Sequence, residues 1–437
     1  MRGTLVFVFI TMLLLALLSA CTTPGIKQAS TDPLAGDRLY ADVVKYVDFG
    51  EHRTAYPGDI KTSEWIAESL RQSGLNVELK TWTLKQFLLA DCKLIVGGEK
   101  FDCFPGWYPN TTPVTGKLVP YDYEDTSNLK GNIAYAGSAY GILPYNRLDE
   151  LVDAVSDAGA IGLVSVSRNH NDSGLLAAAN AKRKGQGLDY YQAPLPITTV
   201  FVADDDDAKL AAAALAGATT SISINGEHRA EAKAHNVMAT LKRGDRWIVV
   251  TTPSSGWFTC GGERGPGIAL FLGLARWAAH QNTNHSYIFI ANSGHELDNM
   301  GAHFTLDAYL PSYNITKENV TAWIHLGAGI ACRSWQKAGK EFIPLDQPNE
   351  RAFLRGTEEL LPVFEPAFQH IPGLKIGAGG YAGELKEIAN AGYNAFGFFG
   401  SNYFFHTLQD TEKETGPELL EPVARALTKA LAELDSK

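Results

Sequence analysis

The sequence predicts an α/β fold, a mostly parallel sheet covered by helices on both faces, and two observations predict it. From His235 onward, short apolar runs of strand length alternate with longer helical runs, the pattern of parallel strands joined by crossover helices. A hydrophobic content of 45% with a mean hydropathy of -0.10 belongs to a chain that buries cores rather than one that stays disordered.

The elements follow in order. Residues 37–79 read as helix, loop and helix; the second helix starts near Thr62-Ser63-Glu64-Trp65 and stops at Gly74, a C-cap signal. Leu75 to Trp82 alternates like a strand. Residues 87–232 have a different texture and form an insert between a first core segment, 37–86, and a second, 233–437. Within the insert, Leu148 to Asp157 reads as a helix, while Gly159 to Val166 and Pro194 to Val202 read as buried strands. The acidic run Asp204 to Asp207 opens an Ala-rich helix, where carboxylates suit the helix dipole without any calcium. An insert whose ends lie together at a surface should be separable.

In the second core segment, Trp247–Thr251, Tyr287–Asn292, Trp323–Leu326 and Ala395–Phe399 read as strands, Gly267–His280 and Pro417–Leu434 as helices. In such sheets the loops at the carboxyl ends of the strands carry the site. Those loops are residues 252–264, 293–298, 327–332 and 403–410.

The N-terminus reads as an address. Arg2 precedes an apolar run, Leu5 to Leu18, that has the length of a signal-peptide core and is too short for a comfortable span. It ends in Leu18-Ser19-Ala20-Cys21, which resembles a bacterial lipobox, so residues 1–20 are expected to be removed and Cys21 to be lipidated. Residues 21–36, rich in Thr, Pro, Ser and Gly, then form a tether. The expected location is a membrane-anchored lipoprotein facing the periplasm or exterior. Thr22 is not an inner-membrane retention aspartate, which points to the outer membrane in a Gram-negative cell.

The net charge of -10, or -11 once Arg2 is removed with the signal, argues against a nucleic-acid partner and against a polybasic grip on lipid. Cys92, Cys103, Cys260 and Cys332 match no zinc knuckle. Outside the cytoplasm they permit two disulfides, Cys92 with Cys103 and Cys260 with Cys332, or burial as free thiols. Cys260, on a Gly-rich loop before a helix, also admits a nucleophile reading.

Several segments together resemble the M28 family of zinc aminopeptidases with an inserted protease-associated (PA) domain. They are His52 to Asp59 followed by Glu64-Trp65-Ile66, the Asp157-Ala158-Gly159-Ala160-Ile161-Gly162 step of the insert, the His235-Asn236-Val237-Met238-Ala239 re-entry, and His406-Thr407-Leu408-Gln409-Asp410-Thr411. The resemblance implies a zinc-exopeptidase-like core, a PA-like α/β insert, two zinc ions held by five side chains, and a glutamate general base.

Residue by residue, the sequence departs from that pattern. The His-x-Asp pair falls on Thr252 and Ser254, the bridging aspartate near Gly262 or Glu263, the base and ligand glutamates on His295 and Glu296, and the Asn-Leu-Asp motif on His325-Leu326-Gly327. Only Glu296 and His406 match as metal ligands. Two ligands do not hold a zinc pair, since even a single catalytic zinc usually has three protein ligands. No cofactor is therefore required, and at most one zinc in a rearranged site is left open.

The replacements are polar. His295, Glu296, His325 and His406 are the expected catalytic set, converging in one pocket, with Thr252, Ser254, Ser255, Glu263 and Glu384 lining it. They suit a rearranged metal site or a metal-free acid–base set, and a serine nucleophile if a histidine reaches Ser254 or Ser255. The first functional expectation is a lipoprotein hydrolase acting on an amide or peptide-type bond. The second is a non-catalytic lipoprotein that captures a small molecule or peptide on a degenerate peptidase scaffold.

Overall fold

In the computed structural model the core sheet runs Lys375–Ala378, Ala352–Gly356, Ala395–Gly400, Val320–Leu326, Trp247–Pro253, Ser286–Asn292 and Thr219–Leu241 in spatial order. The four strands from Ala395–Gly400 to Ser286–Asn292 are mutually parallel, with Tyr287 opposite Ile248 and Ile324 opposite both Val250 and Phe396. Their carboxyl ends therefore share one edge. The structure describes residues 31–142, 148–169, 171, 173–181 and 193–436. Cys21, the signal segment and most of the tether lie outside them. Among the described residues no helix is long and apolar enough to cross a membrane.

Both faces of the sheet are buried, as continuous apolar strands require. Ile248 and Val250 face a cluster supplied by the helices Gly36–Val47, Pro57–Gln72, Gly265–Ala279 and Pro417–Asp435. Trp247 and Val249, one residue out of phase, face a second cluster with Leu385 and Ile388 of the Gly383–Asn390 helix. Gly74 caps the second helix at φ 85°, with Leu75 N–H reaching the Leu70 carbonyl at 3.2 Å, the Schellman closure the sequence signalled.

The insert is joined differently from the expectation. The strand expected over Leu75 to Trp82 continues to Val96 and pairs along its length with Thr219–Leu241. Leu84 lies opposite Ala232 and Phe87 opposite His228, so both expected boundaries fall within one two-stranded ribbon. The insert's sheet, built on Val114–Pro120, Ile133–Ala136, Gly162–Val166 and Thr198–Val202, continues from that ribbon.

One hydrophobic cluster contains Trp107, Phe104 and Phe87 from the insert together with Tyr56, Trp82, Trp257, Phe258, Leu297 and Met300 from the core. Arg53 pins the junction. Its guanidinium lies 4.6 Å from the Tyr56 ring and 5.2 Å from the Phe104 ring, and its Nε donates to the Trp257 carbonyl at 3.0 Å. The insert thus shares a hydrophobic cluster with the rest of the chain.

The Asp204–Asp207 run is engaged internally. Asp207 accepts the Tyr135 hydroxyl at 2.6 Å and Asp205 pairs with Lys337 at 2.7 Å. All four described cysteines are free thiols. Cys92 and Cys103 sit side by side, sulfur to sulfur at 3.1 Å. Cys260 and Cys332 are not joined; the Cys332 thiol donates to the Gly262 and Ile330 carbonyls instead.

Candidate functional site

Each of the four loops at the shared strand edge contains a non-glycine residue in left-handed backbone. They are Cys260, Asp298 with Asn299, Ala331 and His406, with φ between 50° and 61°. Such conformations cost of order 1–3 kcal/mol each and persist where the surroundings over-determine them, most often at functional sites.

The expected site residues fall into two layers. The upper layer lines a cavity of about 470 Å³, walled by Phe353, Phe398, Phe399 and Tyr381 and carrying His295, His325, Glu384 and Arg264. His295 Nδ1 is 3.2 Å from Glu384 Oε1, and Asn292 Nδ2 donates to Glu384 Oε2 at 3.1 Å. Burial alone would raise the Glu384 carboxyl, but the hydrogen bond and charge of His295 outweigh it and hold the group below its ordinary value.

His325 Nδ1 is 3.0 Å from the Thr251 hydroxyl, whose oxygen takes the Trp323 indole N–H at 2.9 Å. Burial pushes His325 down to about 4 despite the pull of Glu384, so it is neutral at pH 7.

The lower layer is an ion-pair network beneath the cavity. Arg264 Nη2 lies 2.8 Å from Glu263 Oε1 and 2.8 Å from Glu296 Oε1, and Nε donates to the Ser255 carbonyl at 2.8 Å. His406 Nε2 is 3.3 Å from Glu263 Oε1, and its Nδ1–H donates to the Ala178 carbonyl at 2.9 Å. Burial would raise the Glu263 carboxyl, yet Arg264 and then His406 hold it well below the usual carboxylate range. Asp410 ties the loop down, accepting the Gly262 and Glu263 backbone N–H groups at 2.7 and 3.1 Å.

Several expectations are corrected here. Glu296 and His406 do not line the cavity with His295 and His325; they belong to the network below it. Thr252, Ser254 and Ser255 are not pocket walls. Thr252 donates to the Leu326 carbonyl at 2.9 Å and Ser254 to the Asn292 carbonyl at 3.1 Å. Ser255 donates to Glu296 Oε2 at 2.9 Å while accepting the Gly294 and His295 backbone N–H groups. With those commitments neither serine is a nucleophile awaiting a histidine. Glu263 is likewise buried in the network. Cys260 is fully buried, and burial followed by the charges of Glu263 and Asp410 pushes its thiol well above the ordinary value, the reverse of an activated nucleophile.

The insert reaches into this region. Ala178 N–H donates to the His406 carbonyl at 2.9 Å and Ala181 N–H to the Glu296 carbonyl at 3.1 Å, while Asn180 Oδ1 accepts the Trp257 indole N–H at 3.0 Å. Sequence reasoning missed this strap and missed Arg264. The signal for Arg264 was present: a lone arginine adjoins Glu263 in the loop that has lost its expected aspartate.

No family model and no curated protein matches the chain. Solved structures do. It is similar to an aminopeptidase from Aneurinibacillus sp. strain AM-1, at 18% identity over 92% of this chain and 96% of that one, with a TM-score of 0.63. BSAP, a zinc aminopeptidase from Bacillus subtilis, aligns at 16% identity over the same shares with a TM-score of 0.71. A peptidase M28 precursor from Shewanella amazonensis aligns at 16% identity over 94% of each chain with a TM-score of 0.69. The chain has the zinc-aminopeptidase fold.

A two-zinc centre does not fit the residues present. The strand-end hydroxyls of Thr252 and Ser254 are spent on carbonyls, and Gly327, with no side chain, falls where the Asn-Leu-Asp motif would supply a carboxylate. A guanidinium already lies between Glu263 and Glu296. Among the described residues one group of buried donors, Cys260, Glu263 and Asp410, comes within 4.8 Å, and Asp410 there caps the loop's backbone.

Proposed function

We propose that this chain is a lipid-anchored, extracytoplasmic binding protein, which captures a peptide or a small peptide-like molecule in the cavity of a zinc-aminopeptidase fold without using a metal. The insert is then a PA-like domain that shades the pocket. The observation that carries this reading is Arg264 held between Glu263 and Glu296, a permanent internal cation where the relatives' fold would call for metal charge.

The cavity supports a ligand with both polar ends and apolar side chains. It combines aromatic walls with Glu384 and Asp298 of one sign and Arg264, Arg351 and Lys386 of the other. His295, partly exposed at the wall and oriented by Glu384, is its central polar contact. His295→Ala should weaken binding of short peptides about tenfold or more, the worth of a hydrogen bond to a charged group, without loss of fold. Thr252→Ala should leave binding unchanged. Calorimetry with a peptide library checks both, and binding that vanishes with a chelator would sink the metal-free reading.

A second reading, hydrolysis of an amide-type bond, is favoured by one observation. The His295–Glu384 pair at the cavity wall has the arrangement of a general base held by a carboxylate. Turnover of aminoacyl, acyl or ester probes that is lost in His295→Ala and insensitive to chelator would establish it over simple capture.

The lipid anchor is tested separately. Cys21→Ser should abolish lipid labelling and leave the signal uncleaved, because a hydroxyl cannot form the thioether. Normal processing and membrane partitioning of that variant would overturn the anchor.

A further inference from the structure

We propose that Cys92 and Cys103 are the oxidation site of this chain: outside the cytoplasm they join in one disulfide that staples the insert at its junction with the core, while Cys260 and Cys332 stay thiols. The proposal needs the extracytoplasmic location proposed above for its oxidant, and it does not depend on what the cavity binds.

Two observations carry it independently. The first is register. The strand Asn76–Val96 folds back through Gly97 and Gly98 onto Glu99–Phe101, with Leu94 opposite Phe101 and Val96 opposite Glu99. Two steps further along that register, Cys92 faces Cys103 across the hairpin. Residues that face each other in an antiparallel pair have Cα atoms about 4.5–5.5 Å apart, within the span that a disulfide bridges. The second is sulfur placement. The two Sγ atoms lie 3.1 Å apart, so a bond of about 2.05 Å needs roughly 1 Å of closure.

Access separates this pair from the other. Cys92 and Cys103 are both partly exposed, whereas Cys260 and Cys332 are buried. The Cys332 thiol is also turned onto the Gly262 and Ile330 carbonyls. The oxidant is a small-molecule or protein disulfide, the class that extracytoplasmic compartments supply. One thiolate attacks it, releasing one thiol and leaving a mixed disulfide; the neighbouring sulfur then displaces the second thiol. Two protein thiols and one disulfide become one protein disulfide and two thiols, and the protons and the electron pair pass to the oxidant's sulfurs.

What the bond holds is the next residue. Phe104 follows Cys103, and its backbone pairs with Phe201 of the insert's Thr198–Val202 strand. Its ring lies against Arg53, Trp257 and Phe258 of the core. Cys92 is fixed in the ribbon opposite Ile224. The disulfide therefore ties Phe104 to the ribbon that carries the insert, and it limits how far the ring can leave Arg53 when the junction opens.

The test takes the full chain, produced with its own signal, and traps thiols with iodoacetamide in denaturant. Trapping is done before and after the native protein is treated with oxidised glutathione. Trypsin cuts after Lys93 and Lys100, so Cys92 and Cys103 fall on separate peptides that only a disulfide keeps together. Mass spectrometry should find that pair joined as isolated, with Cys260 and Cys332 alkylated. A pair that is reduced as isolated but joins with oxidised glutathione would uphold the site and overturn the extracytoplasmic location.

Three results would overturn the site itself: Cys92 and Cys103 still alkylated after oxidised glutathione, both held as glutathione adducts, or a Cys260–Cys332 pair in their place. Reduction should lower the melting temperature of the oxidised wild type by about 5 °C and leave that of Cys92→Ser/Cys103→Ser unchanged. An equal shift in both proteins, or none in either, would overturn the staple.

Discussion

In the absence of added metal, Arg264→Met is expected to lower the free energy of unfolding by about 3–5 kcal/mol. Breaking a buried ion pair by removing one partner costs this much because the other is left charged and desolvated. Here two carboxylates lose their counter-ion at once, and Glu263 and Glu296 are each at most 2% exposed. Methionine keeps most of the side-chain volume, so the loss reads charge rather than a cavity. Urea unfolding followed by tryptophan fluorescence measures it; a change below about 1 kcal/mol would show that the network is not held by Arg264.

Excision of residues 87–232 behind a short linker is expected to leave no cooperatively folding core. The cut opens the ribbon at Leu84–Ala232 and Phe87–His228 and strips one side from Tyr56, Trp82, Trp257 and Phe258. Uncovering a large apolar side chain costs about 1.5–3 kcal/mol, so four of them approach the whole stability of an ordinary domain. The same cut removes Phe104 and Trp107 from around the Arg53 guanidinium. A single sharp urea transition and a soluble, native-like spectrum in the excised protein would disprove the shared core.

Much of the core was legible because burial on both faces of a parallel strand leaves a plain signal. Trp247, Tyr287, Trp323 and Ala395 each begin or nearly begin an apolar run, and each lies in a strand of the parallel set. Gly74 announced its helix end because glycine takes a positive φ at no steric cost. The strand from Asn76 was read too short. Its second half breaks the alternation with Lys85-Gln86 and the run Phe87-Leu88-Leu89-Ala90, and the ladder shifts register between Leu84 and Gln86 and between Leu89 and Asp91, so the period that signals a strand is lost while the strand continues.

The site was legible only as a list. Placement of His295, Glu384 and His325 around one cavity follows from strand order, and the residues were named from their positions after strands. Which hydroxyls face the cavity was not readable: Thr252, Ser254 and Ser255 spend their protons on Leu326, Asn292 and Glu296, partners between 38 and 74 residues away in sequence.

By itself the sequence determined the layered α/β architecture and which loops share the carboxyl edge of its parallel strands. These depend on periodicity and residue type, which are local. Only the tertiary structure decided that a guanidinium fills the place between Glu263 and Glu296, that His406 is oriented by a strap from the insert, and that insert and core share one hydrophobic cluster. Those outcomes depend on where long-range packing puts a charge relative to its partners, and the energy of a buried charge is set by that placement rather than by its neighbours along the chain.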